Sequence, residues 1–388
     1  MEAQAPLEIP RAFSSLADPR RCNARHAFID VLTIALCAVV CGADGWVAVV
    51  AYAKAKEPWL KTFLTLESGI PSHDTFGRVF AKLNPDAFEE CFRTWIKTLV
   101  DLSAGALSGK AVAIDGKSIR RSFLSAFDKS GMAHLVSAFV QDNQMSFAQI
   151  KTDGKGRELD AIEQLLKLLD LQQAVVTIDA LGCNIQIATL IRQAKAHYLL
   201  QIKENQSTLL GKVTTLFDEA ILEQFKDFRH ATAQTVDGDH GRIETRTIHV
   251  LWDVAHLGPL AKQWPGLKSV VRVEAIRETP AADAGTSATS VERHYYISSL
   301  DRRHKPQTFL SHIRGHWGIE NNLHWQLDVS FSEDDRRIRK GHGAENFSRL
   351  CRIALTLLKN ETTQKTGIAI KRQSCGWDNA YLLKVIAG

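Results

Sequence analysis

The chain has 388 residues, 45% hydrophobic and 23% charged, with 48 Lys and Arg against 43 Asp and Glu and a formal net charge of +5. That length exceeds one ordinary hydrophobic core, and the composition is globular. Disorder, collagen and coiled coil are therefore excluded, and two or three packed units are expected. The slight basic excess permits an anionic partner without requiring one.

The longest uncharged apolar run, residues 31–43, is shorter than the ~20 residues that cross a bilayer, so it reads as a core helix. Residues 1–10 lack a basic start followed by an apolar stretch, so no secretory signal is expected and the location expected is the cytoplasm. Seven cysteines, without a CxxC pair, point to reduced, packed thiols rather than a disulfide framework or a zinc ribbon.

Residues 27–99 carry apolar positions at helical spacing, in Ile29, Leu32, Leu36 and Val39 and again in Phe76, Val79, Phe80 and Leu83, which predicts a small all-α unit. Ser72 is the expected N-cap of a helix with Asp74 at its positive end. His73, Thr75 and Arg78 lie on the exposed side of that helix, which either enters a DNA groove or is a plain surface helix packed by Phe76 and Phe80. A small-residue linker, 103–109, closes the unit.

Short β-type runs follow at 111–114, 134–140 and 146–150. A helix with the stripe Leu159, Ile162, Leu165, Leu166 and Leu169 comes next, then a strand at 174–178, a helix at 185–194 and a strand at 197–202. Three strands and then strand and helix in alternation predict an α/β sheet with an antiparallel edge. Residues 208–301 read as a β-rich insertion with strands at 245–252, 269–274 and 293–300. From 308 the pattern is helical to about 359, interrupted near 328–343.

Two apolar runs end alike, in Ala113-Ile114-Asp115-Gly116-Lys117 and Thr177-Ile178-Asp179-Ala180-Leu181. On neighbouring central strands, Asp115 and Asp179 would project side by side. Two adjacent carboxylates repel unless a cation separates them or one is protonated, and a hard divalent ion is the natural solution. Each aspartate could instead merely cap the turn after its strand. Glu320 falls at helical spacing with Leu310, Ile313, Trp317, His324 and Leu327, which predicts an inward-facing carboxylate needing a cation or a salt bridge. Asp328, Glu333, Asp334 and Asp335 sit in a polar segment and read as solvated. His312, His316 and Glu320, spaced by four, admit a zinc site, but that reading leaves Asp115 and Asp179 unexplained and lacks an HExxH sequence.

The set Ala-Ile-Asp115-Gly-Lys-Ser, Thr-Ile-Asp179-Ala, Leu-Gln-Ile-Lys203-Glu-Asn205-Gln206 and His316-Trp317-Gly-Ile-Glu320-Asn321-Asn-Leu-His324-Trp325 resembles the H-repeat-associated insertion-sequence transposases, bacterial members of the DDE class. The segment from Gly69 to Arg78 resembles the helical domain that precedes the catalytic one in that family. The resemblance implies an RNase H-like mixed sheet flanked by helices, interrupted by the β-rich insertion and preceded by a small all-α domain. The corresponding division is 1–105 (helical, a candidate for DNA-end binding), 106–207 and 302–388 (catalytic), and 208–301 (insertion).

It also implies Asp115, Asp179 and Glu320 as catalytic, metal-binding carboxylates holding two Mg²⁺ ions, with Mn²⁺ as a substitute, and cleavage and strand transfer of double-stranded DNA by a homodimer. A rival reading keeps the fold as a DNA-binding protein that has lost transposition. Related transposases with the inserted architecture carry Tyr, Arg and Lys around the glutamate, where this chain has Ile313, His316 and Leu327. Arg314, His316, Asn321 and His324 are then the candidates for phosphate contacts. Lys117, Lys203 and Asn205 lie near the strand ends, placed to touch the DNA strand that is cut or else, for the lysines, to cover apolar surface. Arg336, Arg337, Arg339 and Lys340 form the basic segment expected along the phosphate backbone, or else a solvated face.

Overall fold

The computed structural model describes residues 12–20, 24–99, 107–122, 132–142, 144–152, 156–239, 242–279 and 288–387. Residues 1–10, most of the expected linker (103–106) and Cys22 lie outside the described residues. The other six cysteines are free thiols. No helix among the described residues is long and apolar enough to cross a membrane.

The N-terminal part is helical, with α1 (Phe28–Val40), α2 (Trp46–Ala55), α3 (His73–Lys82) and α4 (Pro85–Leu99). The apolar run forms α1, where every residue from Asp30 to Val40 is buried. Ser72 caps α3 as expected, its hydroxyl accepting from the Thr75 N–H at 3.3 Å. Phe76, Val79 and Phe80 turn inward, while His73 and Arg78 stay exposed.

A mixed sheet follows, built from β1 (Ala111–Ser118), β2 (His134–Val140), β3 (Met145–Thr152), β4 (Val175–Ile178) and β5 (His197–Ile202), with α5 (Glu158–Leu168) and α6 (Ile185–Gln193) between them. β1, β2 and β3 form an antiparallel meander, and β4 and β5 add to β1 in parallel. That is the RNase H-like arrangement.

The insertion differs from expectation in two ways. It opens with a helix, α7 (Ser207–Leu222), and carries four strands, β6 (His230–Asp239), β7 (Arg242–Leu251), β8 (Ser269–Thr279) and β9 (Ala288–Ser298). Those strands continue the mixed sheet, because β9 pairs antiparallel with β5, giving one nine-stranded sheet in the order β3-β2-β1-β4-β5-β9-β8-β7-β6.

Helix α8 (Pro306–Ile319) then packs across β1, β4, β5, β6 and β7. A five-residue π-helical turn, Glu320–His324, joins it to α9 (Trp325–Val329). After the expected interruption come α10 (Gly343–Asn360) and two further helices that the sequence pattern did not disclose, α11 (Ile368–Trp377) and α12 (Asn379–Ala387).

One cluster of buried apolar residues spans the N-terminal helices, the sheet residues Val112, Ile114, Val176 and Ile178, and α10 to α12. A second, smaller cluster lies under α8, from Val175, Leu199, Ile248, Val271, Phe309 and Ile313. Val175 and Val176 belong to different clusters because successive residues of a strand face opposite sides. A buried ionic knot ties α4 to α10 and β3. Glu89 accepts from Arg349 at 3.0 Å, from Arg352, and from the Gln149 N–H at 3.0 Å.

Candidate active site

Register decides where the aspartates sit. Ile114 on β1 is the direct partner of Ile178 on β4, so Asp115 and Asp179 are the next residues along two adjacent parallel strands, and neighbouring strands lie about 4.8 Å apart. β1 does not end there as expected, since it continues through Asp115 to Ser118, paired with β2 on its other edge. β4 does end, and Asp179 accepts from the Leu181 N–H at 3.0 Å to start a 3-10 turn. The capping role and a ligand role are therefore compatible, because one carboxylate oxygen serves the turn.

Glu320 comes from the start of the π-helical turn. It is not the buried carboxylate that its helical spacing suggested, for its side chain is 56% exposed. Leu310, Ile313, His324 and Leu327 are the buried members of the stripe, whereas Trp317 and Glu320 stand at the rim of a cavity.

That cavity, of about 300 Å³, is lined by all three acids together with Thr177, Gln201, Lys203, His316 and Trp317. His324 Nδ1 sits 3.0 Å from Glu320 Oε2 and 3.5 Å from Asp115 Oδ2. One ligand atom each from Asp115, Glu320 and His324 lies within 4.8 Å of the other two. His324 is 4% exposed, and its Nε2 has no hydrogen-bond partner among the described residues.

The electrostatics follow from this crowding. Burial pushes the Asp115 carboxyl up to about 6; His324 and the Gly116 N–H oppose the shift, while Asp179 and Glu320 add to it. The hydrogen bond from His324 holds the Glu320 carboxyl below its ordinary value. Burial lowers the His316 imidazole, whose Nδ1 lies 3.2 Å from the Thr177 hydroxyl. Asp115, reluctant to ionise, makes with Glu320 and His324 a donor set that a divalent cation would satisfy, whereas Asp179 lines the same cavity but falls outside that group. The zinc trio is not assembled, since His316 is turned to Thr177 and the buried His312 is not in the metal-competent group.

The remaining expected residues fall into two groups. Lys203 lines the cavity and is exposed, as are Asn321, Arg337 and Lys340. Others are engaged within the protein. Lys117 is nearly buried and pairs with Asp328, with Glu333 at 3.6 Å and with the His324 carbonyl at 3.3 Å. Asn205 donates to the Ala180 carbonyl at 2.6 Å, Arg314 pairs with Asp237 at 3.1 Å, and Arg339 donates to the Arg121 carbonyl at 3.0 Å.

Arg336 is buried rather than part of a solvated basic face, with its guanidinium 4.4 Å over the Phe347 ring and donating to the Phe331 carbonyl. Nor is Glu333 solvated, since it is 1% exposed. The sequence did not mark Thr177 or Gln201 in the cavity wall, or Lys359 behind the glutamate turn, as site residues, and it placed Trp317 on the glutamate's stripe without a role. Thr177 carried a signal, as the residue two before Asp179 on the same strand face, and so did Trp317, three before Glu320.

The family described as "Transposase DDE domain" matches residues 107–357, and the one described as "DDE_Tnp_1-associated" matches residues 11–96. The chain belongs to the DDE transposase family. It is 37% identical over 365 residues to "Putative transposase YncI" of Escherichia coli O157:H7, covering 94% of this chain and 90% of that one. It is 35% identical over 368 residues to "H repeat-associated putative transposase YhhI" of Escherichia coli K12, covering 94% and 93%. A cryo-EM structure of a piggyBac transposase synaptic complex with hairpin DNA aligns with 98% of this chain and 77% of its own at 13% identity and a TM-score of 0.38.

Proposed function

We propose that the protein is an active transposase that cuts DNA at the ends of an insertion sequence and joins the freed 3′-ends to a target, with Asp115, Asp179 and Glu320 as its catalytic carboxylates. The observation that carries this reading is the convergence of three acids, 64 and 141 residues apart along the chain, on the wall of one cavity. Mg²⁺ or Mn²⁺ held by those carboxylates would supply Lewis-acid stabilisation of the attacked phosphate and a more acidic water or 3′-hydroxyl. The chain's own contribution is to place the acids. β1 and β4 fix the two aspartates in register, and the helical turn brings Glu320 to face Asp115. The rim at Trp317 and Glu320 stays open enough for a phosphodiester strand to reach them.

Lys203, Asn321, Arg337 and Lys340 are the exposed residues proposed to hold the DNA backbone, with Lys117 and Arg336 assigned to internal support instead. In the helical region to residue 105, a concave surface lined by Arg20, Arg25, His26, Arg78 and Lys82 and by no acid supports contact with the element's end. Two copies would pair the two ends.

The test is nicking of a duplex bearing the element's terminal repeats, with Mg²⁺ or Mn²⁺ added. Wild type should cut. Asp115→Asn, Asp179→Asn and Glu320→Gln should each lose at least about a hundredfold in rate while retaining the wild-type gel shift. Cutting that survives all three changes removes these residues from the mechanism, and binding without cutting by the wild type favours a DNA-binding protein that has lost transposition.

A further inference from the structure

The turn that carries Glu320 is irregular and held from two sides. The Trp325 N–H reaches back five residues to the Glu320 carbonyl, so the helix widens by one residue between α8 and α9. Isolated π-helical turns are rare, and they persist where other contacts hold them open, frequently at functional sites.

Here the carbonyls inside and at the end of the widened turn are met by ammonium groups from distant parts of the chain. Lys359, near the C-terminus of α10, donates to the Asn322 carbonyl at 2.7 Å and to the Gln144 carbonyl of the β2–β3 hairpin at 2.9 Å. Lys117, on β1, donates to the His324 carbonyl at 3.3 Å. The Lys359 ammonium also lies 5.5 Å from the centroid of the Phe139 ring, on β2.

Building on the proposed active site, we infer that Lys359 is a positioning residue that holds the 320–324 turn in its π-helical form and thereby keeps Glu320 and His324 aimed at Asp115. The geometry argues for this over a general packing role. Each lysine binds a backbone oxygen of the turn and ties it to the sheet, Lys117 through β1 and Lys359 through the hairpin after β2. Relaxation of the turn to a regular α-helix would shift the register by one residue, a rotation of about 100° between the parts before and after it. Glu320 and His324, four residues apart, share a face in a regular α-helix too, so their hydrogen bond would survive, but rotation of the part before the turn against the part after it would change the pair's aim at Asp115. Burial brings the Lys359 ammonium down to about 7, so its desolvation is opposed mainly by the two carbonyls and the ring beside it. A lysine placed at such a cost, with no carboxylate partner among the described residues, is better explained by the turn it holds than by surface solubility.

The test uses the full chain and Mn²⁺ alone as the probe. In Lys359→Met, which keeps the length and loses the donor, the backbone at 320–324 should be a regular α-helix in a crystal structure. Mn²⁺ affinity by calorimetry should fall at least about tenfold, the range seen when groups that orient metal ligands are removed. Lys359→Arg should restore both, and Lys359→Leu serves if the methionine variant does not fold. A π-helical turn retained in the methionine or leucine variant overturns the inference, as does unchanged Mn²⁺ affinity. If the wild type itself binds no Mn²⁺, the active-site reading fails, while the backbone comparison still decides the role of Lys359.

Discussion

At the scale of single residues, the charge state of Asp115 is the most exposed consequence of the site's crowding. Its folded carboxyl titrates near 6, above the ordinary value, so between about pH 4 and 6 the folded chain binds more protons than the unfolded one. Stability of the metal-free protein therefore falls as pH rises through that window and stays reduced above it. Asp115→Asn should remove the penalty, making the variant more stable than wild type by about 1–3 kcal/mol at pH 7.5 in EDTA, with the difference vanishing near pH 4. Urea unfolding at the two pH values checks this, and a variant less stable at both contradicts it.

The sequence disclosed Asp115 and Asp179 because each follows an apolar run in a matching context. It disclosed Glu320 by spacing alone and misjudged its burial, since an α-helical wheel cannot anticipate a π-helical turn. Glu333 and Arg336 were misread for another reason. A charged residue in a polar segment looks solvated, and the partners that bury these two lie across β1 and α10.

At the scale of elements, legibility followed apolar contrast. β2, β5 and α6 were found within a residue or two because buried faces write strong periods. β6 was missed because its inward positions, Ala231, Ala233 and Thr235, are small or polar, while its one large apolar residue, Val236, faces outward. α7 was absorbed into a β-rich reading even though Leu209, Val213, Leu216, Phe217 and Ala220 keep helical spacing and are buried. α11 and α12 went unseen because α11 buries the charged Lys371 and Arg372 and α12 is nine residues long and apolar on most of its circumference, so neither carries a clear stripe.

The contact between α3 and the segment entering α10 was not legible either, since it depends on a backbone approach. Gly341 has φ +53°, and a Cβ there would stand 2.3 Å from the Ala81 carbonyl, which also accepts from the His342 N–H at 3.0 Å. Gly341→Ala should therefore cost about 1–3 kcal/mol, whereas Gly367→Ala, with open space around it and an ordinary φ, should change stability little. Thermal unfolding of the pair measures the difference, and equal midpoints would contradict the packing described.

At the scale of the whole molecule, the helical N-terminal part and the mixed sheet share one apolar cluster and the Glu89–Arg349–Arg352 knot, so the division legible as a change of periodicity near residue 105 is not a break in packing. The insertion likewise reads as a separate β-rich stretch along the chain but becomes four more strands of the same sheet, a consequence of β9 pairing with β5 that no local pattern could reveal. The extended sheet gives α8 a long surface to lie on, and α8 delivers the glutamate turn to the edge of β1 and β4. The proposed function thus depends on a long-range arrangement in which strand register places two acids and one helix places the third.

The most direct measurement of that arrangement is a crystal structure of the protein soaked in Mn²⁺, read by anomalous scattering. Manganese should lie between Asp115, Asp179 and Glu320, with no peak in Asp115→Asn. Manganese bound elsewhere, or a glutamate turned away from the two aspartates in the metal-bound protein, would contradict it.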